Sequence, residues 1–242
     1  MLVEAQISFY DLEHPSDKKS HNNIIMFPVG NIFTNLKSKS SDKPKPKPAD
    51  SVKTLEEIER IKNYFLDRKE YRNYCLFIIG ITTGYRIGDL LNLKFSDLFE
   101  NYYYYKREID ITEQKTKKRR SIPISENIKI AVNLYIKCKG GFLLNEYIFK
   151  SQKGRNRPLD KSSARKIFNN MAKELNLPYH CSTHFLRKTF AYWFLQIHKS
   201  DMSALATLQE ILNHSSEKMT LKYCGIEKER KEAMLKSLAE LW

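Results

Sequence analysis

Apolar residues recur with helical spacing along the chain from Thr54 onward. Thr54-x-x-Glu57 has the form of a capping box, which satisfies exposed backbone groups at the start of a helix. The apolar positions after it form one stripe at Leu55, Ile58, Ile61 and Phe65. Similar stripes run through Ile128–Ile136, ended by Gly140-Gly141, and through Ala164–Leu175. The same reasoning predicts further helices over residues 71–83 (ended by Gly84), 86–94, 183–198, 203–213, 216–223 and 227–241.

Two segments in the middle of the chain favour strands instead. Tyr102–Ile111 is rich in aromatics and alternates at Ile109 and Ile111, and Ser121–Ile124 returns after the polar, basic turn Gln114–Arg120. The pattern therefore predicts a hairpin. The fold class expected is mainly α with a small antiparallel β-sheet, that is, α+β.

The N-terminal part of the chain has a different character. Residues 15–48 show no clear apolar period, although a short element near Ile24–Phe33 fits the pattern, and residues 37–48 end in alternating Lys and Pro. Such a sequence repels itself and favours an extended chain. We expect residues 1–51 to be an arm and Lys/Pro linker, and residues 52–242 to be the folded domain.

Composition narrows the class of partner. The 42 Lys and Arg residues exceed the 28 Asp and Glu residues, so that the net charge is +14 and the sequence pI is near 9.5. A positive excess of this size suggests a polyanion such as nucleic acid, although a merely basic protein has the same composition. With 41% apolar and 12% aromatic residues, the chain is not disordered overall.

Membrane, secreted and zinc-finger classes are not expected. The longest apolar stretch, Cys75–Ile81, is far shorter than the roughly 20 residues that a membrane span requires. The first residues do not have the form of a secretory signal, and the four cysteines lie far apart without a Cys-x-x-Cys pair. We expect unpaired thiols, no cofactor and no metal in a cytoplasmic, bacterial-type protein associated with the nucleoid.

Four local patterns carry candidate chemistry. Arg86 and Asp89 share a helix face after Gly84, and His184 and Arg187 have the same i, i+3 spacing. The turn Gln114–Arg120 holds five cations, and Leu212-Asn-His-Ser-Ser216 is followed by Tyr223. Taken singly, each has an ordinary explanation as solvated charge, a satisfied histidine or one of fourteen tyrosines.

Together these residue types match metal-free cleavage of a phosphodiester. Guanidinium groups pair bidentately with phosphate oxygens and keep their charge, so they can hold the transition state. A lysine or histidine can protonate the leaving oxygen, and a histidine can assist deprotonation of the nucleophile. A tyrosine hydroxyl can be that nucleophile and form a covalent intermediate.

The order of the patterns resembles a known family. Thr83-Gly-Tyr-Arg-Ile-Gly-Asp-Leu-Leu91 resembles the first arginine box of the tyrosine recombinases, the phage integrase family. His184-Phe-Leu-Arg187 resembles the His-x-x-Arg box of that family, and Leu212-Asn-His-Ser-Ser216 resembles its Leu-Gly-His-Ser-Ser. Tyr223 follows His214 by nine residues, which is the family spacing to the nucleophile. The resemblance implies a tyrosine-recombinase-like catalytic domain over residues 52–242.

The resemblance also implies roles for individual residues. Arg86 and Arg187 would hold the scissile phosphate, and Tyr223 would attack it to give a 3′-phosphotyrosyl linkage and a free 5′-hydroxyl. Lys115 would be the general acid, with Lys117 as the alternative because the turn is rich in cations. The remaining roles are these: His184 as general acid/base, His214 as a hydrogen-bond partner of a phosphate oxygen, and Asp89 as a structural support that orients Arg86 and its neighbours.

The chain departs from the family pattern in three places. Asn213 replaces the usual glycine before His214, and Tyr85 stands where an aliphatic residue is commoner. Most members also carry a helical core-binding domain before the catalytic one, and residues 1–51 do not have that pattern. We therefore expect the core-binding domain to be absent, as in small members such as the fimbrial-switch recombinases.

The partners expected are double-stranded DNA, further copies of the chain and accessory DNA-bending proteins. The C-terminal helix 227–241 carries an apolar stripe, and the resemblance implies that it packs onto a neighbouring protomer of a tetramer; packing onto its own domain is the alternative. Basic clusters at residues 37–53 and 150–166 can neutralise backbone phosphates, or can be solvated surface. The DNA contacts predicted are Lys117, Lys118, Arg119, Arg120, Lys153, Arg155, Arg157 and Arg165.

Three functions remain open from the sequence. The first is a site-specific recombinase that integrates, excises or inverts DNA. The second is a type IB-like topoisomerase, which uses the same chemistry. The third is a catalytically idle DNA-binding or regulatory protein that retains the fold.

Overall fold

The computed structural model describes residues 51–179, 181–182 and 184–240. The predicted N-terminal arm and linker, and with them the basic cluster at 37–50, lie outside these residues. The described part contains helices and one two-stranded antiparallel sheet, which confirms the predicted fold class. The helices are α1 (Leu55–Asp67), α2 (Tyr71–Thr83), α3 (Ile87–Leu91), α4 (Phe95–Leu98), α5 (Glu126–Lys139), α6 (Lys161–Glu174), α7 (Phe185–Ile197), α8 (Ala204–Ile211), α9 (Glu217–Cys224) and α10 (Glu227–Ala239). The strands are β1 (Glu108–Thr112) and β2 (Arg119–Pro123).

Helix α2 is the centre of the main core. It is buried over most of its length and packs against α1, α5 and α7. It ends at Gly84, whose φ of 59° is left-handed, and a Cβ at this position would lie 2.3 Å from the ring of Phe190. Glycine is thus required both by the backbone and by the close approach of α7. This junction is where the first arginine box begins.

A second, smaller core lies between α7, α8 and α9. Its buried side chains are Ala191, Leu195, Ala204, Leu208, Leu212, Cys224 and Ile226. This cluster fixes α9 against the rest of the domain, because Leu221 and Tyr223 pack on it from that helix. It therefore decides where the side chain of Tyr223 lies.

The predicted helix 86–94 is wrong in its extent. The chain leaves the helical path after α3, and the backbone N–H of Phe95 donates to the carbonyl of Glu146 at 3.0 Å as α4 begins. Within the predicted range, the carbonyl of Leu93 accepts from the N–H of Ile148 at 2.9 Å, so residues 146–148 hold this part of the chain out of the helix. The spacing of apolar residues gives no sign of this change, because Leu93 and Phe95 are both buried.

The first predicted strand is also shorter than expected. β1 begins at Glu108 because residues 101–104 form a tight turn, in which the Asn101 side chain accepts from the N–H groups of Tyr103 (2.8 Å) and Tyr104 (3.1 Å). The two strands pair antiparallel, with Ile109 opposite Ile122. The aromatic residues that suggested a strand at 102–104 belong to this turn.

Candidate active site

Arg86 lies at the junction between α2 and α3. It is the residue before the first turn of α3, in an extended conformation, so its side chain leaves the helix end rather than a helix face. The guanidinium forms an ion pair with the carboxylate of Glu113. About a fifth of the Arg86 side chain (19%) stays exposed, which leaves donors accessible from outside.

Arg187 lies beside Arg86 but is held differently. Its Nη1 donates to the carbonyl of Gly84 at 2.8 Å and its Nη2 donates to the carbonyl of Leu212 at 2.6 Å. Burial lowers the pKa of Arg187 to about 10, which still leaves the guanidinium charged near neutral pH. Carbonyls from the first arginine box and from the Leu212–Ser216 motif thus hold the arginine of the His184–Arg187 motif.

Glu113 is a site residue that the sequence reasoning missed. Its side chain is fully buried (0% exposed), and it contacts Arg86 while its Oε1 lies 3.6 Å from Arg120 and 3.7 Å from Arg187. Burial raises the pKa of this carboxyl, but the Thr116 hydroxyl and the nearby guanidinium groups outweigh it, so the net pKa is lowered. The only sequence signal was an acidic residue just before a turn of cations.

Arg120 is a correction to the predicted DNA contacts. Its side chain is buried, with Nη2 donating to the carbonyl of Thr83 at 2.8 Å and Nη1 facing Glu113. It lies on β2 opposite Ile111, on the core side of the hairpin. Arg120 therefore supports the end of α2 and does not belong to the basic surface.

Asp89 supports the surroundings of Arg86 and not its guanidinium. Its Oδ1 accepts from the backbone N–H of Gln114 at 2.9 Å, which ties α3 to the start of the β1–β2 turn. The ion pair with Arg86 is made by Glu113. Asp89 orients the turn that carries Lys115, and Glu113 contacts the arginine.

The structure leaves the choice between the two candidate lysines open. Lys115 and Lys117 are both exposed in the turn, and Lys117 takes a left-handed φ of 58°. The charge of Lys115 is close enough to contribute to the lowered pKa of His184. This favours Lys115 without deciding between them.

Tyr223 is brought to the arginines by α9. Its hydroxyl lies 3.5 Å from Nδ1 of His184, and its ring lies edge-on to the rings of His184 and His214 with centroid distances of 6.2 and 5.1 Å. Burial raises the pKa of Tyr223 to about 12, although Arg187 and Arg86 act in the opposite direction. Burial and the surrounding cations lower the pKa of His184, so that its imidazole is neutral near pH 7 and can accept a proton.

His214 is positioned by a left-handed residue and by a threonine. Asn213 has a φ of 50°, which explains why glycine is usual in this position and why asparagine is tolerated. Nδ1 of His214 lies 3.1 Å from the Thr220 hydroxyl, so Nε2 is free of that contact. Burial, followed by Arg187 and Arg86, lowers the pKa of His214 to about 4. Thr220 is a second supporting residue that the sequence reasoning missed.

The other predicted DNA contacts are exposed. Lys118, Lys153, Arg155, Arg157 and Arg165 all have exposed side chains, and so has Arg119, which pairs with Asp110. Lys161, at the start of α6, lies against Gly88. A Cβ on Gly88 would be 2.9 Å from Cε of Lys161 and 3.7 Å from Oε1 of Gln114, so all three residues are close together. The basic segment 150–166 therefore reaches the turn that carries Lys115.

Helix α10 exposes part of its predicted apolar stripe. Met234 and Leu238 are exposed together with Leu235, whereas Leu241 and Trp242 lie outside the described residues.

Within the described part of the chain, no helix is long and apolar enough to span a membrane, and no group of three potential metal-ligating His, Cys, Asp or Glu side chains occurs.

Comparison with known proteins gives consistent matches. Residues 52–230 match the phage integrase family. The probable integrase/recombinase YoeC of Bacillus subtilis is 39% identical over 76% of this chain and 94% of its own length. Tyrosine recombinase XerD of Halalkalibacterium halodurans is 28% identical over 73% of this chain and 58% of its own length.

A solved structure is similar in fold. The crystal structure of the XerH site-specific recombinase bound to difH substrate, in a pre-cleavage complex, matches 82% of this chain and 57% of that one, with a TM-score of 0.57 and 24% identity. The chain thus spans nearly all of one relative and somewhat more than half of the two Xer recombinases.

Proposed function

Because the chain belongs to the phage integrase family of site-specific tyrosine recombinases, we propose that it cleaves and rejoins DNA strands through a covalent 3′-phosphotyrosyl intermediate. The observation that carries this proposal is the position of the Tyr223 hydroxyl, 3.5 Å from His184 and beside Arg187. Three segments that are distant in sequence meet there. A half-buried tyrosine beside a neutral imidazole and two arginines is suited to attack on a phosphate.

The reaction follows from the positions of these groups. Arg86 and Arg187 bind the non-bridging oxygens of the scissile phosphate and stabilise the charge that develops on them. The oxygen of Tyr223 forms a bond to phosphorus, and its proton passes to His184, because a phenol with a pKa of about 12 is protonated near neutral pH. The bond to the 5′-oxygen breaks, and Lys115 gives that oxygen its proton.

Rejoining is the same reaction in reverse. A 5′-hydroxyl from another strand attacks the phosphotyrosyl bond and releases Tyr223, so the phosphodiester energy is conserved. The Thr220 hydroxyl lies 3.1 Å from Nδ1 of His214 and 3.3 Å from the carbonyl of Ser216. We propose that in the reaction it donates to Nδ1, so that His214, neutral because of its low pKa, carries its proton on Nε2 and donates it to a phosphate oxygen. The cations of the chain itself balance the phosphate charge, so we propose that no metal or cofactor takes part.

Double-stranded DNA is the substrate we propose, held by the exposed cations of the turn and of segment 150–166. The exposed apolar residues of α10 support packing onto a neighbouring copy in a DNA-bound tetramer, with accessory DNA-bending proteins as further partners. We also propose that residues 1–51 act as a basic arm, that residues 52–242 form the catalytic domain, and that the protein works in the cytoplasm at the nucleoid.

A suicide substrate tests the proposed reaction. Duplex DNA taken from the regions that flank the gene would be nicked beside the scissile phosphate, so that the short 5′-hydroxyl fragment leaves and traps the intermediate. With EDTA present, we expect a covalent protein–DNA adduct on a denaturing gel, with protein on the 3′ end. DNA binding without any adduct would instead support the idle, DNA-binding function, and relaxation of supercoiled DNA that lacks these regions would support the topoisomerase.

The general acid is tested with a substrate whose leaving 5′-oxygen is replaced by sulfur. A thiolate leaves without prior protonation because its conjugate acid has a far lower pKa than an alcohol. Lys115→Ala is expected to slow cleavage of ordinary DNA about 100-fold and to cleave the sulfur-containing DNA at nearly the wild-type rate. Lys117→Ala is the matched control: if Lys117 only contacts DNA and is not needed for the chemistry, then at saturating DNA this variant should cleave both substrates at the wild-type rate, and the opposite pattern would assign the role of general acid to Lys117.

A further inference from the structure

Glu113 joins all four motifs of the site. It follows β1 and stands two residues before Lys115, and its carboxylate pairs with Arg86. The same carboxylate accepts from the Thr116 hydroxyl at 2.5 Å and from the Asn213 side chain at 3.3 Å, next to His214. Its other oxygen faces Arg187 at 3.7 Å.

The three arginines around Glu113 do not depend on it equally. Arg187 is held by the carbonyls of Gly84 and Leu212, and Arg120 is held by the carbonyls of Thr83 and Gly84. Within the part of the chain that the structure describes, the guanidinium of Arg86 pairs with the carboxylate of Glu113. Arg86 is also the most exposed of the three, so its long side chain would otherwise sample several rotamers.

We propose that Glu113 is a positioning residue for strand cleavage, and that it acts by orienting the Arg86 guanidinium toward the scissile phosphate. This inference rests on the proposed function. The carboxylate engages one Nη of Arg86, and the other donors of the planar fork stay available for a phosphate. Its negative charge also opposes the repulsion that three neighbouring guanidinium groups exert on one another. Glu113 itself is fully buried, so its carboxylate acts from behind the surface that would meet DNA.

Glu113→Gln removes the charge and keeps the size of the side chain. At saturating DNA, the single-turnover cleavage rate should fall about 100-fold, as expected when a catalytic group is displaced by about 1 Å. The Kd for the same DNA should change less than threefold, since most DNA contacts lie elsewhere. The sulfur-containing substrate should not restore the rate, in contrast to Lys115→Ala, because the defect lies in Arg86 and not in protonation of the leaving group.

A double-mutant cycle separates positioning from general structural support. If Glu113 acts through Arg86, then Arg86→Ala/Glu113→Gln should cleave at the same rate as Arg86→Ala alone. Multiplying losses in the double variant would overturn the proposal. So would a wild-type cleavage rate in Glu113→Gln.

A charge-balanced variant keeps the test valid if Glu113→Gln does not fold. Glu113→Gln/Arg120→Gln removes one buried charge of each sign and leaves an amide that can donate to the Thr83 carbonyl. It should fold, as judged by its Tm, and still cleave slowly; recovery of the wild-type rate would mean that Glu113 only neutralises charge. Wild-type protein in the same assay separates the two proposals, because an inactive wild type contradicts the recombinase reaction itself, whereas an active wild type with equally active variants contradicts only the role of Glu113.

Discussion

Tyr223→Phe should abolish covalent attachment to DNA and leave the DNA affinity within a few-fold of wild type. The substitution removes only the hydroxyl, and the ring keeps its edge-on contacts with His184 and His214. Nucleophilic catalysis requires that oxygen, since the intermediate is the bond that it forms to phosphorus. Binding depends on the cations of the surface, which this substitution does not change. Suicide-substrate trapping and a gel-shift titration on the same DNA measure the two quantities.

Tyr103→Phe is the matched control for that variant. Tyr103 is an exposed tyrosine of the 101–104 turn, and its loss of a hydroxyl should leave both trapping and affinity at wild-type values. An adduct that persists in Tyr223→Phe would show that another residue is the nucleophile. Mass spectrometry of the trapped peptide would then identify it.

Arg187→Lys should lower the cleavage rate about 1,000-fold, near the upper end of what removal of one transition-state donor costs. A lysine ammonium is a point donor and cannot hold the carbonyls of Gly84 and Leu212 while it also binds a phosphate. The same change should reduce the free energy of unfolding by about 1–3 kcal/mol, because at least one buried carbonyl loses its donor. Single-turnover cleavage and urea denaturation measure these effects.

Arg119→Lys is the control for the effect of the substitution itself. Arg119 pairs with Asp110 on the surface, where its side chain is 79% exposed, so Arg119→Lys should leave the midpoint of urea unfolding close to that of the wild type. Cleavage near the wild-type rate in Arg187→Lys would mean that Arg187 only holds the carbonyls of Gly84 and Leu212 and does not stabilise the phosphate. The assignment of Arg187 to the phosphate would then be wrong.

Local patterns predicted much of the structure. The helical stripes correspond to α1, α2 and α5–α10, with shifts of a few residues at their ends. Gly84 was expected as a break, and it ends α2 in the left-handed conformation. The residues placed at the site by resemblance, from Arg86 to Tyr223, lie around one point, although their roles in cleavage remain predictions.

Long-range contacts account for the errors. Arg120 belongs to a run of cations that suggests a solvated turn, yet its position on β2 opposite Ile111 directs it inward to the carbonyls of Thr83 and Gly84. The helix expected over 86–94 is shortened to α3, because the carbonyl of Leu93 accepts from the N–H of Ile148, about fifty residues away. Neither partner can be identified from the neighbouring sequence.

The class of fold, the order of the motifs and the kind of chemistry they can perform follow from the amino-acid sequence, because helix periods, caps and residue types are local properties. Which of these groups meet depends on how the segments pack together. Glu113 is a single acidic residue in a basic segment. Its role depends on three arginines around its buried carboxylate, one just before α3, one on α7 and one on β2. The energy of an interaction between charged groups depends on their burial and on the distances between them. Both are set by the packing of segments that are far apart in the chain.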